Sequence, residues 1–143
     1  MPSFGSVSPY RVYRCKFDAS DPACSFIVDF SPLDKPERNR LFDKARINGQ
    51  VSAEKLAELV AGRVKGWRGF TPREAERLGL FERATADSIA ATFTGGDVDK
   101  EIAFAPGVAR DFAAHSDKAS ERFGELLDLD KCIEAEEALA KNA

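Results

Sequence analysis

The chain begins with two short stretches in which apolar and polar residues alternate. Residues 13–17 place Tyr, Cys and Phe between charged side chains, and residues 26–30 place Phe, Val and Phe at every second position, with Ile27 and Asp29 between them. A repeat at every second residue is typical of a strand with one buried face. Turn-forming residues, including Asp21 and Pro22, lie between the two stretches. An antiparallel hairpin is therefore predicted over about residues 10–31.

Helix-capping residues divide the remainder of the chain. A Ser, Thr or Asp before an apolar periodic stretch predicts a helix start, because its side chain accepts a hydrogen bond from an N–H of the first turn. Five positions fit this rule: Asp34, Ser52, Thr71, Ser116 and Asp130. Pro106 predicts a further helix start, and residues 84–93 also have a helical pattern.

Glycine-containing breaks predict where these helices end. The first helix is expected to extend to about residue 47, where Asn48-Gly49 provides two residues that tolerate a left-handed backbone. Gly79 limits the helix that Thr71 begins, and residues 94–97 form the clearest break in the second half. Residues 102–104 are short and apolar, and we expect them to be extended.

The apolar stripe between residues 56 and 67 contains the only tryptophan of the chain. Leu56, Leu59, Val60, Val64 and Trp67 fall at i, i+3, i+4, i+8 and i+11, which predicts one helix face. Gly66 and Gly69 bracket the tryptophan and are expected to end that helix in a structural turn. A large aromatic residue at this spacing is typical of a core anchor. The alternative is a partner-binding residue, because tryptophan is enriched at such positions.

Together these patterns predict an α+β fold that is mostly α-helical. An N-terminal antiparallel β-hairpin would pack on a bundle of about six or seven short helices, because a lone hairpin is marginal in water. The 143 residues fit a single domain, with the hairpin at about 10–31 and the helical part at about 34–141. The absence of a long apolar run or a signal-peptide pattern leads us to expect a cytoplasmic protein without a membrane partner.

Charge is unevenly distributed along the chain. Residues 1–71 carry 12 Lys/Arg and 8 Asp/Glu, a net charge of +4, whereas residues 72–143 carry 9 and 16, a net charge of −7. This asymmetry is typical of differently solvated faces. It also permits partner steering and head-to-tail self-association.

No arrangement of residues predicts a catalytic or metal site. Cys15, Cys24 and Cys132 have no metal-ligand spacing, so free thiols are expected, with a Cys15–Cys24 disulfide as the alternative. His115 is the only histidine and has the position of a helix-end residue. Residues 97–101 are acidic, but the glycine and glutamate that a calcium loop needs are missing. We therefore expect a non-enzymatic protein without a cofactor.

A basic helix offers one alternative function. Arg38, Arg40, Lys44 and Arg46 could contact phosphates, as in a small nucleic-acid-binding regulator. Glu37 reduces the net positive charge of this helix, and the whole chain has a net negative charge. A solvated helix face is the preferred interpretation, and a nucleic-acid partner is not expected.

Three segments in the second half resemble a known family. These are residues 64–70 (VKGWRGF), the loop of residues 95–101 (GGDVDKE), and residues 102–106 (IAFAP), which lead into a helix. Their order is similar to that of the tail assembly chaperones of long-tailed bacteriophages, in which a "GW.G" turn, a polar glycine loop and an "I.F" helix entry recur. The resemblance covers about residues 10–127. This chain differs in carrying residues 71–93, about two extra helices, between the first two segments.

The resemblance implies a protein that assists virion morphogenesis in a phage or prophage. Tail assembly chaperones bind the tape measure protein, help to recruit tail tube subunits, and are absent from the mature virion. The resemblance assigns only a structural turn to this chain, at Gly66, Trp67 and Gly69. It leaves the partner-binding residues unknown. Another morphogenesis factor, such as a head–tail connector, is the alternative within the same class.

Overall fold

The computed structural model describes residues 11–141, which form five strands and seven helices. The strands are β1 (Tyr13–Lys16), β2 (Ile27–Phe30), β3 (Arg46–Ile47), β4 (Gln50–Val51) and β5 (Val64–Arg68). The helices are α1 (Lys35–Lys44), α2 (Ala53–Ala61), α3 (Pro72–Arg77), α4 (Arg83–Phe93), α5 (Pro106–His115), α6 (Asp117–Leu126) and α7 (Leu129–Lys141). The predicted fold class, α+β and mostly helical with an N-terminal hairpin, is confirmed.

A three-stranded antiparallel sheet of order β1-β2-β5 forms one side of the core. Tyr13 lies opposite Phe30 in the predicted hairpin. The third strand, β5, pairs with β2 and places Trp67 opposite Val28. Helix α7 packs on β1, and α2 packs on α5 and α6.

Aromatic side chains fill the space between the sheet and the helices. The Phe26 ring stacks on Phe17, at 4.8 Å between centroids, and on Phe70, at 4.3 Å. The Phe112 and Phe123 rings meet edge to face at 5.9 Å, which joins α5 to α6. Each of these rings is buried, so the sheet and the helices share one hydrophobic core.

Four of the five predicted N-caps are confirmed. Asp34, Ser52, Thr71 and Ser116 each accept a hydrogen bond from a backbone N–H three residues later. The cap predicted at Asp130 is wrong, because α7 begins one residue earlier, at Leu129. The carboxylate of Asp128 accepts from the N–H groups of Asp130 and Lys131 instead.

The first helix is shorter than predicted. α1 ends at Lys44, and Ala45 is its C-cap. Asn48 and Gly49 do adopt the left-handed backbone, with φ of 54° and 81°, but as the turn of the β3–β4 hairpin and not as a helix end. Two consecutive positive φ values are what a two-residue hairpin turn requires, and Asn-Gly is its preferred sequence.

The predicted helix face from Leu56 to Trp67 is wrong in its second half. α2 ends at Ala61, and Val64 and Trp67 lie on strand β5. The structural turn predicted at Gly66, Trp67 and Gly69 must be corrected accordingly. Gly66 and Trp67 belong to the strand, and only Gly69 lies in a turn, with φ of 69°.

Residues 71–93 fold as two helices, α3 and α4, that are attached to the core. The Glu74 carboxylate accepts hydrogen bonds from the backbone N–H and the hydroxyl of Ser25, at 2.6 and 3.0 Å. The Ser116 hydroxyl donates to the Leu80 carbonyl at 3.0 Å. Gly79 follows α3 with φ of 74°, as its predicted role at the end of that helix requires.

Within residues 11–141, no helix is both long enough and apolar enough to cross a membrane.

Candidate functional site

The segments that carry the family resemblance meet at one junction around Trp67. The Trp67 indole Nε1–H donates to the Ile102 carbonyl at 2.8 Å. The Trp67 ring meets Phe104 edge to face, with 5.1 Å between centroids, and meets Phe112 of α5 at 6.2 Å. The tryptophan segment and the helix entry are thus joined through a single buried side chain. We call this cluster the tryptophan junction.

Gly69 completes the tryptophan junction at the backbone level. Its N–H donates to the Glu101 carboxylate, and the next carbonyl, that of Phe70, accepts from the Ile102 N–H at 2.8 Å. A Cβ atom on Gly69 would lie 2.0 Å from the Ser25 carbonyl oxygen. The close approach of the two backbones therefore requires glycine, in addition to the positive φ.

Gly66 has a different role from Gly69. It lies within β5 opposite Asp29, next to an irregularity in the pairing of β2 with β5. A Cβ atom there would meet the Asp29 carboxylate at 3.0 Å. Gly66 is therefore a strand glycine that accommodates a neighbouring side chain.

The acidic loop of residues 97–101 is held by protein groups. Asp99 forms a two-pronged ion pair with Arg73 of α3, with distances of 2.6 and 3.3 Å, and this pairing lowers the pKa of the Asp99 carboxyl. The Glu101 carboxylate is engaged by Gly69, and the Val98 carbonyl accepts from the Arg73 N–H. Among the described residues, no cluster of His, Cys, Asp and Glu is arranged to hold a metal ion.

The three cysteines are free thiols, as predicted, and all are buried. Cys15 does not approach Cys24 but lies 3.3 Å, sulfur to sulfur, from Cys132 of α7. The hydrogen bond to Cys132, together with burial, raises the pKa of the Cys15 thiol. Burial also raises the pKa of Cys24. Both thiols are therefore held in the unreactive protonated form.

The basic residues of α1 and β3 are largely engaged by acidic side chains of the chain itself. Arg38 pairs with Asp128 at 2.8 Å, Arg40 pairs with Glu37, and Arg46 lies 3.3 Å from Asp43. These pairings reduce the positive charge that α1 and β3 offer to an external phosphate.

His115, the only histidine, ends α5 as predicted. Its Nδ1 lies 2.8 Å from the Asp111 carbonyl oxygen, one turn earlier in the same helix. The side chain is exposed. This is the geometry of a helix-end residue that bonds to its own backbone.

A groove of about 880 Å³ lies between α1 and α2 on one side and α5 and α6 on the other. We call it the acidic groove. Its apolar lining includes the partly exposed Phe42 and Leu56 and the small residues Ala57, Ala113 and Gly124. Five acidic and two basic side chains also line it. The basic residues are Arg38, which pairs with Asp128, and Lys131.

A second, smaller depression of about 330 Å³ lies between α4 and α5. Phe81, Ile89, Phe93 and Val108 contribute to its lining, and Phe93 is 47% exposed. This apolar cleft differs from the acidic groove in its nearly uniform lack of charge. Its wall is supplied by α4, one of the two helices that separate the resemblance segments.

Comparisons with protein-family models, with curated proteins and with solved structures find no match to this chain.

The segments of the tryptophan junction can be identified in the sequence, whereas the acidic groove cannot. The groove's polar wall is one face of α6, where Asp117, Glu121 and Gly124 recur at helical spacing. That pattern alone is typical of a solvated helix face. Gly124 adds no clearer signal, because it lies in the last turn of α6, where a glycine in the sequence suggests a helix end.

Proposed function

We propose that this chain is a tail assembly chaperone of a long-tailed bacteriophage or prophage. It would bind the tape measure protein and help to recruit tail tube subunits in the cytoplasm of the host, without entering the mature virion. The chain would act through binding surfaces and not through catalysis.

The observation that carries the proposal is the tryptophan junction. The family resemblance rests on three segments in a fixed order, and two of them are separated from the first by two helices. In the folded chain, Trp67 nevertheless contacts both Ile102 and Phe104 directly. This contact gives the segments a shared structural role in the core, and that shared role supports the proposal.

The physical basis of the proposed activity is the covering of apolar helical segments. A long helix-rich partner exposes apolar stripes before it assembles, and these stripes aggregate. Grooves between helices receive such stripes by helix-in-groove packing. The chain offers surfaces of this kind in the acidic groove and in the apolar cleft beside Phe93.

Co-expression with a tape measure protein tests the proposal. The tape measure candidate is a very long helix-rich reading frame immediately downstream of the gene. We expect that protein to be insoluble alone and soluble in a complex with this chain, as measured by sedimentation and affinity co-purification. If the partner's solubility does not change and no complex forms, the proposal is wrong.

Analysis of purified particles separates this proposal from the head–tail connector alternative. A chaperone should be absent from virions and present in lysates of induced cells, as measured by mass spectrometry of both fractions. Stoichiometric recovery of the chain from virions would support a connector and contradict a chaperone.

A further inference from the structure

We infer that the acidic groove is a docking site for one face of a positively charged amphipathic helix. The occupant is a segment of a partner protein with apolar residues on one side and Lys or Arg on the flanks. The inference deepens the proposed function and rests on it only for the identity of the partner protein.

The dimensions of the groove suit a helix. α2, with nine residues, forms one wall, and α6, with ten, forms the other. At 1.5 Å per residue, these walls are about 14 Å long, enough to cover roughly two and a half turns of a docked helix. The lining includes apolar side chains, among them Phe42 and Leu56, which are only partly buried by the chain itself.

The negative charge at the rim of the groove favours a positively charged occupant. Glu54 of α2 lies on one side, and Asp117 and Glu121 of α6 lie on the other. All three are exposed, and among the ion pairs of residues 11–141 none engages them. Of the two basic lining residues, Arg38 is paired with Asp128, and the exposed Lys131 leaves three acidic residues against one basic residue among the lining charges outside the ion pairs. Carboxylates on both rims favour a cationic helix and repel an acidic one.

Gly124 supplies the second and independent observation. It lies in the last turn of α6, two residues before the helix ends at Leu126. A Cβ atom at this position would meet nothing within 4 Å, and the backbone has no positive φ. The fold of the chain therefore does not need a glycine here. A glycine that lines a groove lets the backbone of an incoming helix approach closely, which explains a residue that the isolated chain does not.

A labelled model peptide tests the groove without knowledge of the partner. The probe is an 18-residue Leu/Lys peptide with helical periodicity, and its scrambled isomer is the control. We expect the amphipathic peptide to bind in fluorescence anisotropy at low salt, and the affinity to fall as salt rises. Equal binding of the scrambled peptide would overturn the inference, because charge alone would then account for it.

Matched variants locate the binding site. Glu121→Lys is expected to weaken peptide binding at least tenfold, whereas Glu137→Lys, an exposed α7 residue that does not line the groove, should change it less than threefold. Gly124→Leu fills the groove and should also weaken binding at least tenfold, with helical circular dichroism and thermal midpoint retained. Phe93→Ser alters only the apolar cleft and should leave binding unchanged. If Gly124→Leu binds like the wild type, the groove is not the site.

Three further outcomes distinguish the occupant and the function. If the wild type dimerises in light scattering and Gly124→Leu abolishes the dimer, a second copy occupies the groove and the inference is wrong. If the chain solubilises the tape measure protein and Gly124→Leu does so equally, the proposed function stands and the inference fails. If the chain binds the peptide through Gly124 and Glu121 but does not solubilise the tape measure protein, the inference stands and the proposed function fails.

Discussion

At the residue scale, glycines with the same backbone conformation differ in what surrounds them. Gly69 and Gly95 have φ of 69° and 63°, so a side chain added at either position is strained by the backbone. Only Gly69 also faces a backbone oxygen, since a Cβ atom there would lie 2.0 Å from the carbonyl oxygen of Ser25, whereas Gly95 faces open space. The close contact between the tryptophan junction and the β1–β2 connection therefore depends on one missing methyl group.

Replacement of Gly69 by alanine is expected to destabilise the protein by roughly 3 kcal/mol, because the strain of positive φ is added to a backbone clash. The matched variant Gly95→Ala should lose only about 1 kcal/mol. Urea denaturation followed by the fluorescence of Trp67 measures both. Equal losses for the two variants would show that the approach of Gly69 to Ser25 is not tight.

At the scale of elements, a buried carboxylate, Glu74, helps to attach α3 to the hairpin, beside the ion pair of Arg77 with Asp21 at 3.0 Å. Glu74 is 7% exposed and accepts hydrogen bonds from Ser25 and from the Arg77 guanidinium. Burial alone would raise the pKa of Glu74, but the hydrogen bonds from Arg77 and Ser25 outweigh it, and the pKa is lowered. The charged form is therefore the one that the fold stabilises.

Glu74→Gln should reduce the free energy of unfolding by about 2 kcal/mol at neutral pH, as expected when a buried charged acceptor is lost. A lowered pKa in the folded state contributes stability above the ordinary pKa of about 4.5, and this stability is lost as pH falls through the folded value. The difference between wild type and variant should therefore shrink below about pH 4. Denaturant titrations of both proteins at pH 7 and pH 3 measure this difference in the free energy of unfolding.

The control for Glu74 is Glu76→Gln. Glu76 also belongs to α3 and pairs with Arg83 at 3.0 Å, but that arginine is 82% exposed. The change should cost less than about 0.5 kcal/mol, since exposed pairs contribute little. A loss as large as that of Glu74→Gln would indicate that the charge of α3, and not the contact with Ser25, matters.

Element boundaries that depend on local chemistry could be predicted from the sequence, and those that depend on distant partners could not. Asp34, Ser52, Thr71 and Ser116 cap helices because the required N–H lies three residues away. The segment Val64–Arg68 has a helical pattern because Val64 and Trp67 continue the spacing of α2. It is a strand because β2, more than 30 residues earlier, offers an open edge.

The acidic groove could not be predicted from the sequence for the same reason, because it depends on segments that are distant in the chain. Its walls come from α2 and α6, which are more than 50 residues apart in the chain. Each wall is an ordinary helix face, so neither predicts a groove by itself. The segments of the tryptophan junction can be recognised in the sequence by their resemblance. Their contact through Trp67 and Ile102 is visible only in the fold.

At the scale of the whole molecule, the two ends of the described chain stabilise one another. β1 is an edge strand of the sheet, and α7 packs against it. Cys132 and Ala135 of α7 are 0% and 2% exposed. The Cys15 thiol of β1 donates to the carbonyl of Cys132 and lies beside its sulfur. Helix α7 therefore covers the core at β1.

Ala135→Glu should destabilise the protein by more than about 3 kcal/mol, since it inserts an unpaired carboxylate beneath the sheet. The control is Glu134→Ala, which changes an exposed neighbour on the same helix and should cost less than about 0.5 kcal/mol. Thermal unfolding by circular dichroism compares them. A small effect of Ala135→Glu would mean that α7 is dispensable for the core.

Because α7 packs on β1, the core cannot be completed until the ribosome has synthesised both elements. Cys15 and Cys132 are 117 positions apart, and a ribosome that adds about 5–20 residues per second needs roughly 6–23 s to make that stretch. Throughout that interval, the face of β1 that carries Cys15 is not covered by α7, and transiently exposed apolar surface of this kind favours aggregation. The core cannot be completed before α7 has been synthesised, so the yield of native protein should depend on translation speed and on cellular chaperones.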